Sequence, residues 1–429
     1  MRLGGRLAAA IEVLGDIQVR HRPAADALRD WGLSHRFAGA GDRAAIGNIV
    51  YDALRRARSA AFMLGSEGPR AQAFGAVLLE WGESAQSLNA ALEGDRFAPP
   101  PLDAAELAAL AANDLAGAPD AVRADVPDWC AGRFAEQFGD DWVEEGRALS
   151  ARPPLDLRVN TLKSDREAVL AELSGTGAAP TSLAPDGIRL PPIEGGGRHP
   201  NVQAEPAFQK GWFEVQDEGS QVAALLAGAE PGMQVLDYCA GAGGKTLALS
   251  AGMDNRGQIF AYDSDKQRLA PIFDRLQRAG CRNVQAMARP AELEPLAGRM
   301  DLVLIDAPCT GSGTWRRRPD AKWRLSERQL ETRMAEQDAI LATAGRFVRP
   351  GGRLVYVTCS VFPQENRERF AGFLAANTAF DAADHAKLFE EHFPGRSGVA
   401  RFAPDAGLSL SPSRSGTDGF FVAVATRRT

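Results

Sequence analysis

From Gly211 to the end, the chain repeats one pattern: a short apolar run, then a longer segment with apolar residues at three- and four-residue spacing. The short runs are QVLDYC, GQIFAYD, NVQAMA, MDLVLID and GRLVYVTC. Between them lie segments such as SDKQRLAPIFDRLQRAG and SERQLETRMAEQDAILATAGRFV. Strands alternating with helices in this way predict a doubly wound, mainly parallel sheet. A late alternating run, GFFVAVATR, predicts one more strand near the C-terminus.

The upstream part cannot belong to the same sheet. Through about residue 94, RLAAAIEVLGDI, RPAADALRDW, DRAAIGNIVYDALRRAR and AFGAVLLEWG carry helical periodicity, with no β-alternation. APPPLD interrupts this, Ala104 to Ala111 resumes a helix, and a second break ends at Trp129. Residues 1–128 are therefore expected to form an all-helical domain. In residues 129–210, PLDLRVNTLK and DGIRLPPI read as strands around a helix, SDREAVLAEL, opened by Ser164 as N-cap. This block is expected to be a small α/β linker domain, with 211–429 as the third unit.

A chain of 429 residues, 45% apolar and 24% charged, has material for such cores. Its net charge of −6 neither demands nor forbids a nucleic-acid partner, since a local basic face can coexist with an acidic total. The first residues are too short an apolar run for a secretory segment, and nothing approaches a membrane span. A cytoplasmic protein is expected. The five cysteines are odd in number and widely spaced, which fits reduced thiols. None pairs as CxxC and no histidine pattern suits a metal, so no metal is expected.

The first strand of the alternating block runs into DYCAGAGGKT. A phosphate-binding loop would need glycine where Cys239 stands, and a dinucleotide fingerprint would need glycine or alanine where Thr246 stands. A methyl-donor site remains, with the glycine turn admitting the amino-acid part of S-adenosylmethionine. Asp263 ends the next strand, where a carboxylate can bind ribose hydroxyls of either NAD or S-adenosylmethionine. Glycines serving only a tight turn are the bland alternative.

Two further strands end in cysteines, at IDAPC and YVTC. In an open α/β sheet, ligands bind outside the carboxyl ends of the strands, so Cys309 and Cys359 are expected at the site. Two thiols and a carboxylate beside a methyl donor suit methylation of a pyrimidine at carbon 5. That carbon is a poor nucleophile until a thiolate adds to carbon 6, which is covalent catalysis suited to cysteine. Asp306 could hydrogen-bond ring nitrogen 3. A small buried hydrophobe is the usual fate of a cysteine, and Cys239 and Cys281 are read that way. The zinc ligands of a base deaminase are missing.

At these residues the chain resembles the RsmB/Sun type of RNA (cytosine-5)-methyltransferase. The matching motifs are DYCAGAGGKT, AYDSDKQRL, IDAPCTGSGTWRRRPDAKW, YVTCSVFPQEN and GTDGFFVA. LRVNTLK and EVQDEGSQ resemble the family's linker, and GDRAAIGNIVYDALRR is similar to the NusB-like helical RNA-binding domain that some members carry. The resemblance implies a Rossmann-like methyltransferase sheet with S-adenosyl-L-methionine as cofactor. It makes Cys359 the nucleophile, Cys309 the residue of product release, and Asp306 a contact of the cytosine and of the cofactor. It gives the cofactor Asp263 and the loop Cys239, Ala240, Gly241, Ala242, Gly243, Gly244 and Lys245, with Lys245 also approaching the base.

Two positions depart from the family. Many members read APGGKT where this chain has Gly241-Ala242-Gly243-Gly244, and many have an acid where VQAMARPAE offers Arg289, so no adenine ligand is assigned. The basic run Arg316, Arg317, Arg318, Lys322 and Arg324, with Trp323 for stacking, suits RNA. The expected activity is 5-methylcytosine formation in 16S ribosomal RNA by a monomer. Transfer RNA as substrate, or a non-catalytic RNA-binding assembly factor, are the alternatives.

Overall fold

The computed structural model describes residues 1–429. They divide into two compact units. The first comprises residues 1–153, 192–199 and 314–325, and the second comprises 154–191, 200–313 and 326–429.

In the first unit, Leu7, Ala10, Leu14 and Ile17 recur at helical spacing along the helix Leu3–Arg20 and are all buried. They meet Ile46, Ile49, Val50 and Ala53 of Ala40–Arg55, and Phe74 and Val77 of Pro69–Glu80, in one core. The expected long helix at 42–58 is two helices, with Ala57–Leu64 following the break at Arg56. The helices Asp128–Phe138 and Trp142–Leu149 fall in the first compact unit, whose first segment runs to Pro153.

The second unit holds two sheets. Strands β1 (Leu155–Val159), β2 (Ala179–Pro180), β3 (Gly187–Leu190) and β4 (Phe213–Val215) form an antiparallel sheet in the order β2-β3-β1-β4. The helix between β1 and β2 is Arg166–Glu172, capped by Asp165, whose carboxylate accepts the Ala168 N–H at 2.8 Å. The expected cap, Ser164, lies one residue too early. This sheet falls in the same compact unit as the larger one.

The larger sheet has nine strands. Strands β5 (Gln234–Asp237), β6 (Gln258–Tyr262), β7 (Val284–Met287), β8 (Met300–Asp306) and β9 (Val348–Thr358) are parallel in the order β7-β6-β5-β8-β9. Leu302, Val303, Leu304 and Ile305 on β8 are all buried, as a central parallel strand covered on both faces requires. Three short strands, β10 (Phe380–Ala382), β11 (Arg401–Ala403) and β12 (Gly407–Leu410), join antiparallel with the expected last strand, β13 (Phe420–Arg427), which pairs with β9. The strand order reverses between β5 and β8. A ligand crevice therefore opens outside the carboxyl ends of those two strands, where Asp237 and Asp306 stand.

Candidate active site

Cys309 follows β8 and Cys359 follows β9, and their Sγ atoms lie 3.5 Å apart. The contact with Cys359, reinforced by burial, pushes the Cys309 thiol well above its ordinary pKa. Beside them at the end of β8, Asp306 accepts from Lys245 Nζ at 2.8 Å. Lys245 is 6% exposed, and its ammonium also lies 5.4 Å from the centre of the Phe420 ring.

The loop after β5 turns through Gly241 (φ 50°) and Gly243 (φ 83°) into the helix Gly244–Gly252. At Gly243 a Cβ would fall 2.5 Å from Ile272, so both the backbone angle and the space require glycine. Asp263, buried at the end of β6, accepts the Gly241 N–H and the Asp265 N–H, both at 2.9 Å. Each of its oxygens keeps a further lone pair for a hydroxyl donor. Cys239 and Ala240 start the loop, and burial pushes the Cys239 thiol upward, consistent with an inert side chain.

Two acids that the sequence reasoning did not single out complete the site. Asp237, at the end of β5, accepts the Thr246 hydroxyl at 2.6 Å, while its other oxygen is buried without a partner. Burial pushes its pKa up to about 7 against that hydrogen bond, and the Asp306 charge adds to the rise. Glu365 is the hub behind the thiols. It accepts Thr310 N–H at 2.8 Å, Gln337 Nε2 at 3.1 Å, and the hydroxyls of Thr310 and Ser360. Burial raises its pKa, and those hydrogen bonds oppose the rise. Both acids stand inside motifs quoted above, but neighbouring residues give no sign of their burial.

The basic run falls in a different compact unit from the site residues. Residues 314–325 belong to the helical unit. Trp315 stacks on Phe134 at 5.7 Å, and the Arg316 carbonyl accepts from Arg55 Nε at 2.9 Å. Lys322 is fully buried, with Nζ donating to the Arg55 carbonyl at 3.2 Å and Ser150 Oγ at 3.1 Å. Trp323 Nε1 donates to the Leu54 carbonyl, and Arg324 pairs with Asp320 at 2.7 Å. The expectation of an RNA-facing run fails for Lys322, whose ammonium bonds inside the helical unit, and Arg316 is buried as well. Arg318 is exposed, while Arg317, Trp323 and Arg324 are half-buried.

A family model described as 16S rRNA methyltransferase RsmB/F matches residues 223–426, and a second model, described as the RsmF/B-like ferredoxin-like domain, matches residues 126–192. Ribosomal RNA small subunit methyltransferase B of Sodalis glossinidius is 36% identical over 319 residues, covering 72% of this chain and 68% of that protein. The chain belongs to the RsmB/F family. It spans about two thirds of the length of its curated relatives, 66% and 68% for two of them. Among solved structures, PH0851 superimposes with TM-score 0.72 at 25% identity, over 99% of both chains. NSun6 from Pyrococcus horikoshii, solved with SFG, shares the fold at TM-score 0.60 and 22% identity, over 71% of this chain and 98% of that one. The RsmB/F match ends inside β13, so the glycine loop, both thiols and Glu365 all fall within it.

Proposed function

We propose that the chain methylates carbon 5 of a cytosine in 16S ribosomal RNA, with S-adenosylmethionine as methyl donor. The observation that carries this reading is the 3.5 Å contact between two thiols at the ends of adjacent strands, next to the Lys245–Asp306 pair.

The residues at the crevice fit the cofactor. Its ammonium and ribose hydroxyls need acceptors, which Asp263 and the unpaired oxygen of Asp237 offer. The glycine loop leaves its backbone open to close approach. When bound, S-adenosylmethionine supplies an electrophilic methyl group on sulfonium sulfur.

Cys359 is the nucleophile, the role that the likeness of YVTCSVFPQEN to the family's motif gives it, and it attacks as the thiolate. The Cys359 thiolate adds to carbon 6 of the ring, forming the S–C6 bond and moving the C5–C6 pair toward carbon 5. The negative charge that develops at ring nitrogen 3 would be neutralised by the proton that Lys245 and Asp306 share, delivered through the Asp306 carboxyl. After carbon 5 has gained its methyl, its proton must go to a base as the electrons re-form the double bond and the S–C6 bond breaks. Cys309 serves this release step: it would give its proton to the departing Cys359 sulfur, 3.5 Å away, and take up the carbon 5 proton, which restores both thiols. The helical unit holds RNA, with Arg318 on its surface.

Alanine substitution separates the thiols. Cys359→Ala should abolish methylation and form no covalent adduct with RNA. Cys309→Ala should accumulate a protein–RNA species that survives a denaturing gel, because elimination stalls. An adduct trapped in the Cys359 variant would reverse the roles, and adduct-free behaviour of both would remove the covalent mechanism. Bisulfite mapping of 16S RNA from a deletion strain checks the substrate.

A further inference from the structure

We infer that the small antiparallel sheet belongs to the cofactor-binding apparatus: Glu214 with Arg275, and Arg158 with Gln216, are positioning residues that hold the two carbonyls flanking Gly243. The inference rests on the function proposed above and adds residues to it.

The problem these residues solve is local. The loop contains three glycines among Gly241–Gly244 and two positive φ angles, and it lacks the proline that would stiffen it. Glycine loses more backbone freedom on ordering than any other residue, so the bound shape needs external support.

One support runs from β4 through the helix Ile272–Ala279. Arg275 Nη1 donates to the Ala242 carbonyl at 2.8 Å, and Nη2 donates to Glu214 at 3.1 Å. Glu214 is 4% exposed, so the carboxylate that aims Arg275 is itself fixed. The next N–H, that of Gly243, donates to the Ala240 carbonyl at 2.8 Å. A planar trans peptide held at both its oxygen and its nitrogen cannot swing.

The second support runs from β1. Arg158 Nε donates to Gln216 Oε1 at 2.6 Å, and Gln216 Nε2 donates to the Gly244 carbonyl at 3.3 Å and to Ser220 Oγ at 3.1 Å. The guanidinium occupies the amide oxygen, so the NH2 group must face the loop. Arg158 and Glu214 are paired residues in the β1–β4 ladder, and both supports therefore leave from one rung of the sheet. The Gly244 carbonyl also sets the direction of the Lys245 N–H across the same peptide plane. Slack there would reach Lys245 Nζ, the partner of Asp306.

Arg278 provides the control. It also pairs with Glu214, and it packs over Phe208 at 4.1 Å, but its side chain reaches no carbonyl of the loop. The test is calorimetric affinity of the full-length protein for S-adenosylmethionine, with the melting temperature measured alongside. Arg275→Met should weaken binding about tenfold, the scale of one charge-assisted hydrogen bond. Gln216→Met should weaken it several-fold, and Arg275→Lys should restore part of the loss. Arg278→Met should bind within about twofold of wild type while losing comparable thermal stability. In steady state, KM for the cofactor should rise and KM for RNA should stay. Wild-type affinity in both Arg275→Met and Gln216→Met would overturn the inference, as would equal weakening by Arg275→Met and Arg278→Met. Should Arg275→Met not fold, Gln216→Met decides alone. A wild-type protein that does not bind S-adenosylmethionine overturns the proposed function itself, which separates the two failures.

Discussion

Replacing Glu365 tests whether both cysteine loops hang from one carboxylate. Four donors converge on it, and they are of two kinds. Thr310 N–H and Gln337 Nε2 are fixed in direction and meet the same oxygen, Oε1. The hydroxyls of Thr310 and Ser360 meet Oε2 and can rotate to accept instead. Glu365→Gln can therefore place its oxygen on the fixed donors and its NH2 group on the hydroxyls, keeping every contact. Glu365→Ala strands two fixed donors, at about 1–3 kcal/mol each, so a loss of about 2–6 kcal/mol is expected. Glu365→Gln should stay within about 1 kcal/mol of wild type. Urea unfolding with an unchanged m-value measures both. The pH dependence adds a sign. Because the folded pKa of Glu365 is raised, the folded state keeps a proton that the unfolded chain has released, so its contribution to stability is full below the unfolded value of about 4.3 and is lost as pH rises through the folded value. Wild type should therefore lose stability relative to Glu365→Gln through that window. A Glu365→Gln protein as damaged as Glu365→Ala, or a wild-type advantage that grows with pH, would refute the hub.

Two other changes have definite outcomes. Asp263→Ala should weaken S-adenosylmethionine binding about ten- to a hundredfold by calorimetry, the scale of a hydrogen bond to a charged group, and unchanged affinity would remove it from the site. A fragment of residues 154–429 should aggregate in light scattering, since Trp315 and Lys322 lose the helices that bury them; a monodisperse fragment would show that residues 314–325 need no helical partner.

Most of the catalytic sheet was legible because its central strands are mainly apolar and because the strand ends carry the chemistry. The order β7-β6-β5-β8-β9, which strand–helix alternation alone does not fix, brings Asp237, Asp306 and the cysteines to one edge. What escaped were elements without their own signal. Strands β2, β10, β11 and β12 are two to four residues long and exist through their neighbours. The basic run misled in an instructive way. Trp315, Pro319 and Lys322 stand at helical spacing and are all buried, so the four-carbon stem of Lys322 is used as an apolar side chain. Its ammonium, with no carboxylate partner, has its pKa pushed down by burial to about 7. Charge alone could not distinguish that lysine from one that meets phosphate.

The closing motif GTDGFFVA, far downstream of both thiols, joins the same site for a reason that only backbone contacts reveal. Gly313 N–H donates to the Cys359 carbonyl at 2.9 Å, and the Gly313 carbonyl accepts from Gly419 N–H at 2.8 Å. A Cβ on Gly313 would stand 2.1 Å from the Gly419 carbonyl oxygen, and one on Gly419 would meet Gly313 Cα at 2.7 Å. Neither position can carry a side chain without parting the loops. Three segments are thus joined main chain to main chain: the loop that follows Cys309, the end of β9 that bears Cys359, and the start of β13. The next residue, Phe420, lies under Lys245. The last strand therefore does more than extend the sheet, because its first residues fix the separation of the two thiols and floor the Lys245–Asp306 pair.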